Sequence, residues 1–104
     1  MLDNTTVRQI AKDYATVVAD VLAPKKVILF GSYTNGTAHE WSDIDIAVVF
    51  DTFQGNWYET AVLLGKLRES VSIDIEPHLL DESSDQSGFL EYIIRTGEPV
   101  YEAA

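Results

Sequence analysis

The sequence predicts an α+β fold: a small mixed β-sheet with helices packed on it. Three observations carry that prediction. Apolar residues recur at helical steps of three and four in some stretches, they alternate or run continuously in shorter ones, and the two kinds of stretch interleave along the 104 residues. A hydrophobic fraction of 46% is enough to build a core, and the length fits one domain, residues 1–104.

The first helix is expected over 5–22, where Val7, Ile10, Tyr14, Val17, Val18, Val21 and Leu22 form one stripe. Asn4, Thr5 or Thr6 is the expected cap, and Pro24 stops the helix. KVILF, 26–30, is a continuous apolar run and reads as a buried strand. GSYTNGTAHEW, 31–41, is polar and glycine-marked, a loop with at most one helical turn. In SDIDIAVVF, 42–50, Ile44, Ile46 and Val48 point to one face of a strand, and Asp43, Asp45, Ala47 and Val49 to the other.

Trp57, Ala61, Leu64, Leu67 and Val71 mark a second helix. SIDIEPHL, 72–79, alternates again, with Ile73 and Ile75 opposed to Asp74 and Glu76. Ser83 or Ser84 is the expected cap of a last helix bearing Phe89, Leu90, Ile93 and Ile94 and closed by Gly97; Val100 and Tyr101 add a short edge strand. Trp41, Trp57 and Tyr58, which flank strands or start helices, read as core aromatics.

Charge and composition exclude several functions. Seven Lys and Arg against 17 Asp and Glu give a net charge of −10, which argues against gripping duplex nucleic acid through many phosphate contacts. The absence of cysteine removes disulfides and thiolate metal sites. No apolar run approaches the ~20 residues of a membrane helix, so a cytoplasmic protein is expected.

The informative feature is aspartate inside strands, where its short polar side chain competes with the backbone for hydrogen bonds. Asp43 and Asp45 share one strand face, roughly 6–7 Å apart along the chain, and a second apolar strand carries Asp74 with Glu76 two residues on. If the strands are neighbours, these carboxylates converge, at a cost of several kcal/mol unless a cation neutralises them. Oxygen ligands of this kind favour Mg2+ or Mn2+. Taken singly, each aspartate is better explained as a solvated surface charge; three at strand-face spacing shift the balance toward a cation site.

The second feature is Gly31-Ser32 at the end of KVILF. Glycine there lets the backbone approach a ligand closely, and neighbouring amides and the serine hydroxyl can receive phosphate oxygens. Standing alone, the dipeptide is better explained as a plain tight turn, and the Gly-Lys-Ser/Thr ending of a Walker loop is absent.

Joined, the features form a composite motif: Gly31-Ser32, ten residues (Tyr33 to Ser42), Asp43, one residue, Asp45, and later Asp74 between Ile73 and Ile75. It resembles the nucleotidyltransferase superfamily of DNA polymerase beta and kanamycin nucleotidyltransferase, and within it the minimal nucleotidyltransferases. The resemblance covers residues 5 to 101 and implies a nucleotidyltransferase-like fold. It implies that Gly31 and Ser32 hold the β- and γ-phosphates of a nucleoside triphosphate, with ATP as substrate, and that Asp43 and Asp45 bind two Mg2+ ions. Asp74, centred in its apolar triplet, would ligate the metal on the attacking side and help activate the incoming hydroxyl. The spacing is also similar to that of antitoxins paired with HEPN-domain toxins, which implies transfer of AMP to a tyrosine of such a partner.

One departure is plain: Asn35 stands in the loop where family members often carry an arginine. Lys66 and Arg68 are candidate substitutes, or a solvated helix face. His39 and His78 lack His-x-x-x-His spacing and read as incidental; Glu76 could replace or assist Asp74, but Pro77 argues that the strand ends beside it. Two rivals accompany the enzyme reading. One is a nucleotidyltransferase-fold module that silences its partner by binding alone. The other is an antibiotic-type transferase with a small-molecule acceptor, which would need a substrate-binding domain or a dimer.

Overall fold

Both faces of the sheet are covered, and this explains why its central strands are apolar almost throughout. The computed structural model describes residues 2–104. Helix α1 (Asn4–Leu22) leads to β1 (Lys26–Phe30), the single turn α2 (Ser32–Asn35), β2 (Ile44–Phe50), α3 (Trp57–Leu67), β3 (Ile75–Asp81), α4 (Phe89–Thr96) and β4 (Glu98–Glu102). The sheet order is β3-β2-β1-β4, with β1 antiparallel to both β2 and β4 and β2 parallel to β3. A parallel pair needs a crossover, and α3 supplies it.

On one face Val27, Leu29, Ile44, Ile46, Val48 and Ile75 pack against Val7, Ala11, Tyr14 and Val18 of α1 and Leu64 of α3. On the other, Ile28, Phe30, Ala47 and Val49 meet Leu90 and Ile93 of α4. The Tyr14 hydroxyl donates to Leu64 O (2.7 Å) between α1 and α3, and burial pushes the phenol well above its ordinary pKa, a nearby Arg68 charge opposing. Arg8 of α1 grips Glu98 of β4 through two hydrogen bonds of 2.6 and 2.8 Å. No helix among the described residues is long and apolar enough to cross a membrane.

Several local expectations shift. Asp3, not Asn4, Thr5 or Thr6, caps α1, its carboxylate accepting from Thr6 N (2.7 Å). Ser83 and Ser84 lie in a 3-10 turn after β3, and the start of α4 is held instead by Asp85, which accepts from Leu90 N and Glu91 N (3.0 Å each). The third strand runs Ile75–Asp81 rather than 72–79, leaving Ile73 76% exposed in a turn. Trp41 (81% exposed), Tyr58 (76%) and the half-exposed Trp57 are surface residues, not core. They sit where a single apolar stripe, not residue type, decides burial: only Leu64 of α3 is fully buried.

Candidate functional site

The site forms where β1 and β2 meet on the α4 side of the sheet. At the end of β1 the chain turns at Gly31 with φ 84° and ψ −150°, a conformation open to glycine and almost nothing else. A Cβ added there would overlap Asp45 Oδ2 and stand 3.2 Å from Asp45 Cγ. The missing side chain therefore lets the backbone lie against the carboxylate. After it, Thr34 N and Asn35 N donate to Gly31 O (3.0 and 3.1 Å), and the Thr34 hydroxyl does so at 2.9 Å. Ser32 is half-buried at the start of this turn.

Asp45 is positioned by register. It pairs with Phe30 across the antiparallel ladder and with Glu76 across the parallel one. Successive strand residues point to opposite faces, so Asp45 shares the face of Ala47 and Val49 while Ile44 and Ile46 enter the other core. Asp43 is exposed just before β2. Glu76 is exposed yet partly desolvated: that, then the negative charges of Asp45 and Asp43, push its carboxyl above the ordinary range, and His78 acts in the opposite direction.

Asp45, Glu76 and His78 each offer a ligand atom, and the three atoms lie within 4.8 Å of one another. His78 Nε2 is 3.3 Å from Asp45 Oδ1. Its ring stands edge-on to Phe30 (centroids 5.0 Å apart) and to Phe89 of α4 (6.4 Å). His78, read from sequence as incidental, is thus part of the group. Its partner lies 33 residues away across a parallel ladder, a relation no short motif encodes.

Of the residues expected from sequence, Gly31 lies against Asp45, Asp43 stands close enough to Glu76 to act on its carboxyl, and neither Asp43 nor Asp74 belongs to the group of ligand atoms formed by Asp45, Glu76 and His78. Asp74 is exposed in the turn before β3, and its contribution there is a backbone carbonyl that accepts from Ile44 N (2.8 Å). The apolar triplet that pointed to it does not exist in space, because Ile75 is buried and Ile73 is not. Pro77 does not end the strand: β3 lies at the sheet edge, where proline is tolerated. Neither candidate substitute cation joins the group. Arg68 donates to Ile75 O (2.8 Å), and Lys66 lines a shallow cleft beside Tyr58, Glu59 and Val62. His39 lies in the loop, its Nδ1 accepting from Trp41 N (3.2 Å).

These residues fit a divalent cation. Carboxylates gathered on one patch, one with raised proton affinity, favour a bound positive charge, and the missing Gly31 side chain lets the backbone lie against one of them.

Comparison with known proteins agrees with this geometry. Residues 9–104 match the family model described as polymerase beta, nucleotidyltransferase. None of the curated proteins matches the chain. Among solved structures, a provisionally assigned nucleotidyltransferase from Sulfolobus solfataricus superposes with a TM-score of 0.70 at 21% identity, over 95% of this chain and 83% of its own. A toxin–antitoxin structure with AMP-PNP gives 0.59 at 26% identity, over 98% and 75%. A tyrosine-to-alanine variant of the MntA–HpeT toxin–antitoxin pair gives 0.62 at 26% identity, over 99% and 75%.

Proposed function

The chain belongs to the polymerase beta nucleotidyltransferase family, and we propose that it transfers AMP from ATP to a tyrosine hydroxyl of a HEPN-type partner protein, as the antitoxin of the pair. The observation that carries the proposal is the seating of Gly31 against Asp45, itself in register with Glu76: a backbone fit for phosphates adjoins carboxylates fit for metal. The similarity to a toxin–antitoxin structure with AMP-PNP supports both the nucleotide and the protein partner.

In this reading Gly31 and Ser32 receive the β- and γ-phosphates, while Asp43, Asp45 and Glu76 hold two Mg2+ ions. Bound there, the ions would offset the triphosphate charge and stabilise the attacking and leaving oxygens. Glu76 takes the role that sequence spacing gave to Asp74. As a carboxylate facing the acceptor it would receive the hydroxyl's proton on an oxygen. The hydroxyl oxygen bonds to the α-phosphorus, the bond from that phosphorus to the bridging β-phosphate oxygen breaks, and pyrophosphate leaves.

A second reading, silencing by binding alone, is favoured by Asn35. Its Oδ1 accepts from Thr37 N (3.1 Å) and from the Thr37 hydroxyl (2.5 Å), so the loop position holds a turn rather than a cation. Mass spectrometry separates the two. The protein encoded beside this one is incubated with the chain, ATP and Mg2+. Gain of one AMP on a tyrosine, lost with Asp43→Asn/Asp45→Asn, supports transfer; a tight complex without added mass supports binding alone.

A further inference from the structure

We propose that His78 is a nitrogen ligand of the site's cation, so that the site prefers a first-row transition ion, Mn2+ over Mg2+. The inference rests on the metal-binding reading above and deepens it. Three observations carry it. The half-buried ring packs edge-on against Phe30 and Phe89, two residues that also touch each other, and this packing limits the directions open to it. Its Nε2 lies 3.3 Å from Asp45 Oδ1, and the ligand atoms of Asp45, Glu76 and His78 lie within 4.8 Å of one another. Ligands about 2.1 Å from an ion stand roughly 3 Å apart when adjacent and about 4.2 Å when opposed, so small side-chain rotations close this group on one cation.

The donor chemistry then sets the preference. Mg2+ demands oxygen and dehydrates reluctantly, whereas imidazole nitrogen suits first-row transition ions. A neutral imidazole replaces one more carboxylate at the centre of a chain of net charge −10, and adds a ligand without adding repulsion. A hydrogen bond from His78 that merely orients Asp45 would produce the same separation in the absence of metal. The two roles differ in whether nitrogen touches the ion.

Electron paramagnetic resonance on the full chain tests this. Mn2+ is titrated with and without AMP-PNP, binding is read from loss of the free-ion signal, and pulsed spectra report nitrogen bound directly to Mn2+. Directly coordinated nitrogen is expected in the wild type. It should vanish in both His78→Phe, which keeps the aromatic packing, and His78→Gln, and persist in His39→Gln. The Mn2+ over Mg2+ preference, measured by competition, should fall by about 10-fold or more in the His78 variants. Bound Mn2+ with no nitrogen coupling in the wild type overturns the inference while leaving the nucleotidyltransferase reading intact. Failure of the wild type to bind Mn2+ at all overturns the inference and removes the metal part of that reading with it. The wild-type spectrum decides even if a variant fails to fold.

Discussion

Glu76 of β3 stands directly across the parallel ladder from Asp45 of β2, and that pairing, not the order of acidic residues along the chain, places a second carboxylate beside Asp45. A strand whose side-chain period is two cannot slip by one residue without exchanging its faces. The buried pair Ile44 and Ile75 therefore locks Asp45 to Glu76.

The first expectation follows directly. Glu76→Gln should lower AMP transfer on the order of 10²–10⁴-fold, the usual contribution of a positioned acid or base. Asp74→Asn should stay near wild type. Steady-state rates of AMP incorporation for the two variants, measured side by side, check it.

The same substitution should act oppositely on stability. The folded Glu76 carboxyl is raised above 4.5, so the folded state holds that proton more tightly than the unfolded chain does. Its favourable contribution is complete below the ordinary glutamate range and is lost as pH rises through the folded value. In metal-free protein near pH 7, Glu76→Gln should therefore melt higher than wild type, and the difference should shrink as pH falls through about 4.5. Divalent cation should raise the wild-type melting temperature and leave the variant little changed. Thermal melts with chelator and with Mg2+, across pH, provide the comparison.

Gly31→Ala should be costly for two reasons at once. Its φ of 84° with ψ −150° disfavours any side chain by about 1–3 kcal/mol, and the new methyl would displace Asp45. Denaturant unfolding should show that loss, and calorimetry with AMP-PNP and Mg2+ should show nucleotide binding lost rather than weakened in proportion to stability.

Tyr14→Phe serves as the contrast. It removes the buried hydrogen bond to Leu64 O on the opposite side of the sheet from the site. A loss of about 1 kcal/mol in denaturant stability is expected, with the rate of transfer unchanged.

Much of this was legible in the residues and some was not, for physical reasons. KVILF and IAVVF are continuous because helices cover both faces of β1 and β2, and the Asp43-x-Asp45 alternation carries its meaning in the strand period alone. Gly31-Ser32 gained meaning only beside the aspartates, because a strand-end glycine standing alone is as readily a tight turn. The carboxylate that neighbours Asp45 across the sheet was not legible. Choosing between Asp74 and Glu76 requires knowing where β3 starts, and Pro77, which looked like a strand end, is compatible with the edge position that only the sheet order reveals. His78 was hidden for a related cause, since its partner is close through pairing and remote in sequence. Trp41 and Tyr58 show that aromatic type does not report burial on a helix or loop with a single covered face.

Parallel reactions with ATP labelled at the α-phosphate or at the γ-phosphate test the central claim most directly, using the partner encoded beside the chain. α-Label is expected on the partner, with γ-label released as pyrophosphate, and neither event with Asp43→Asn/Asp45→Asn. Label arriving on the partner from the γ-phosphate, or no label transferred from ATP with any divalent cation while the two proteins bind tightly, would contradict it.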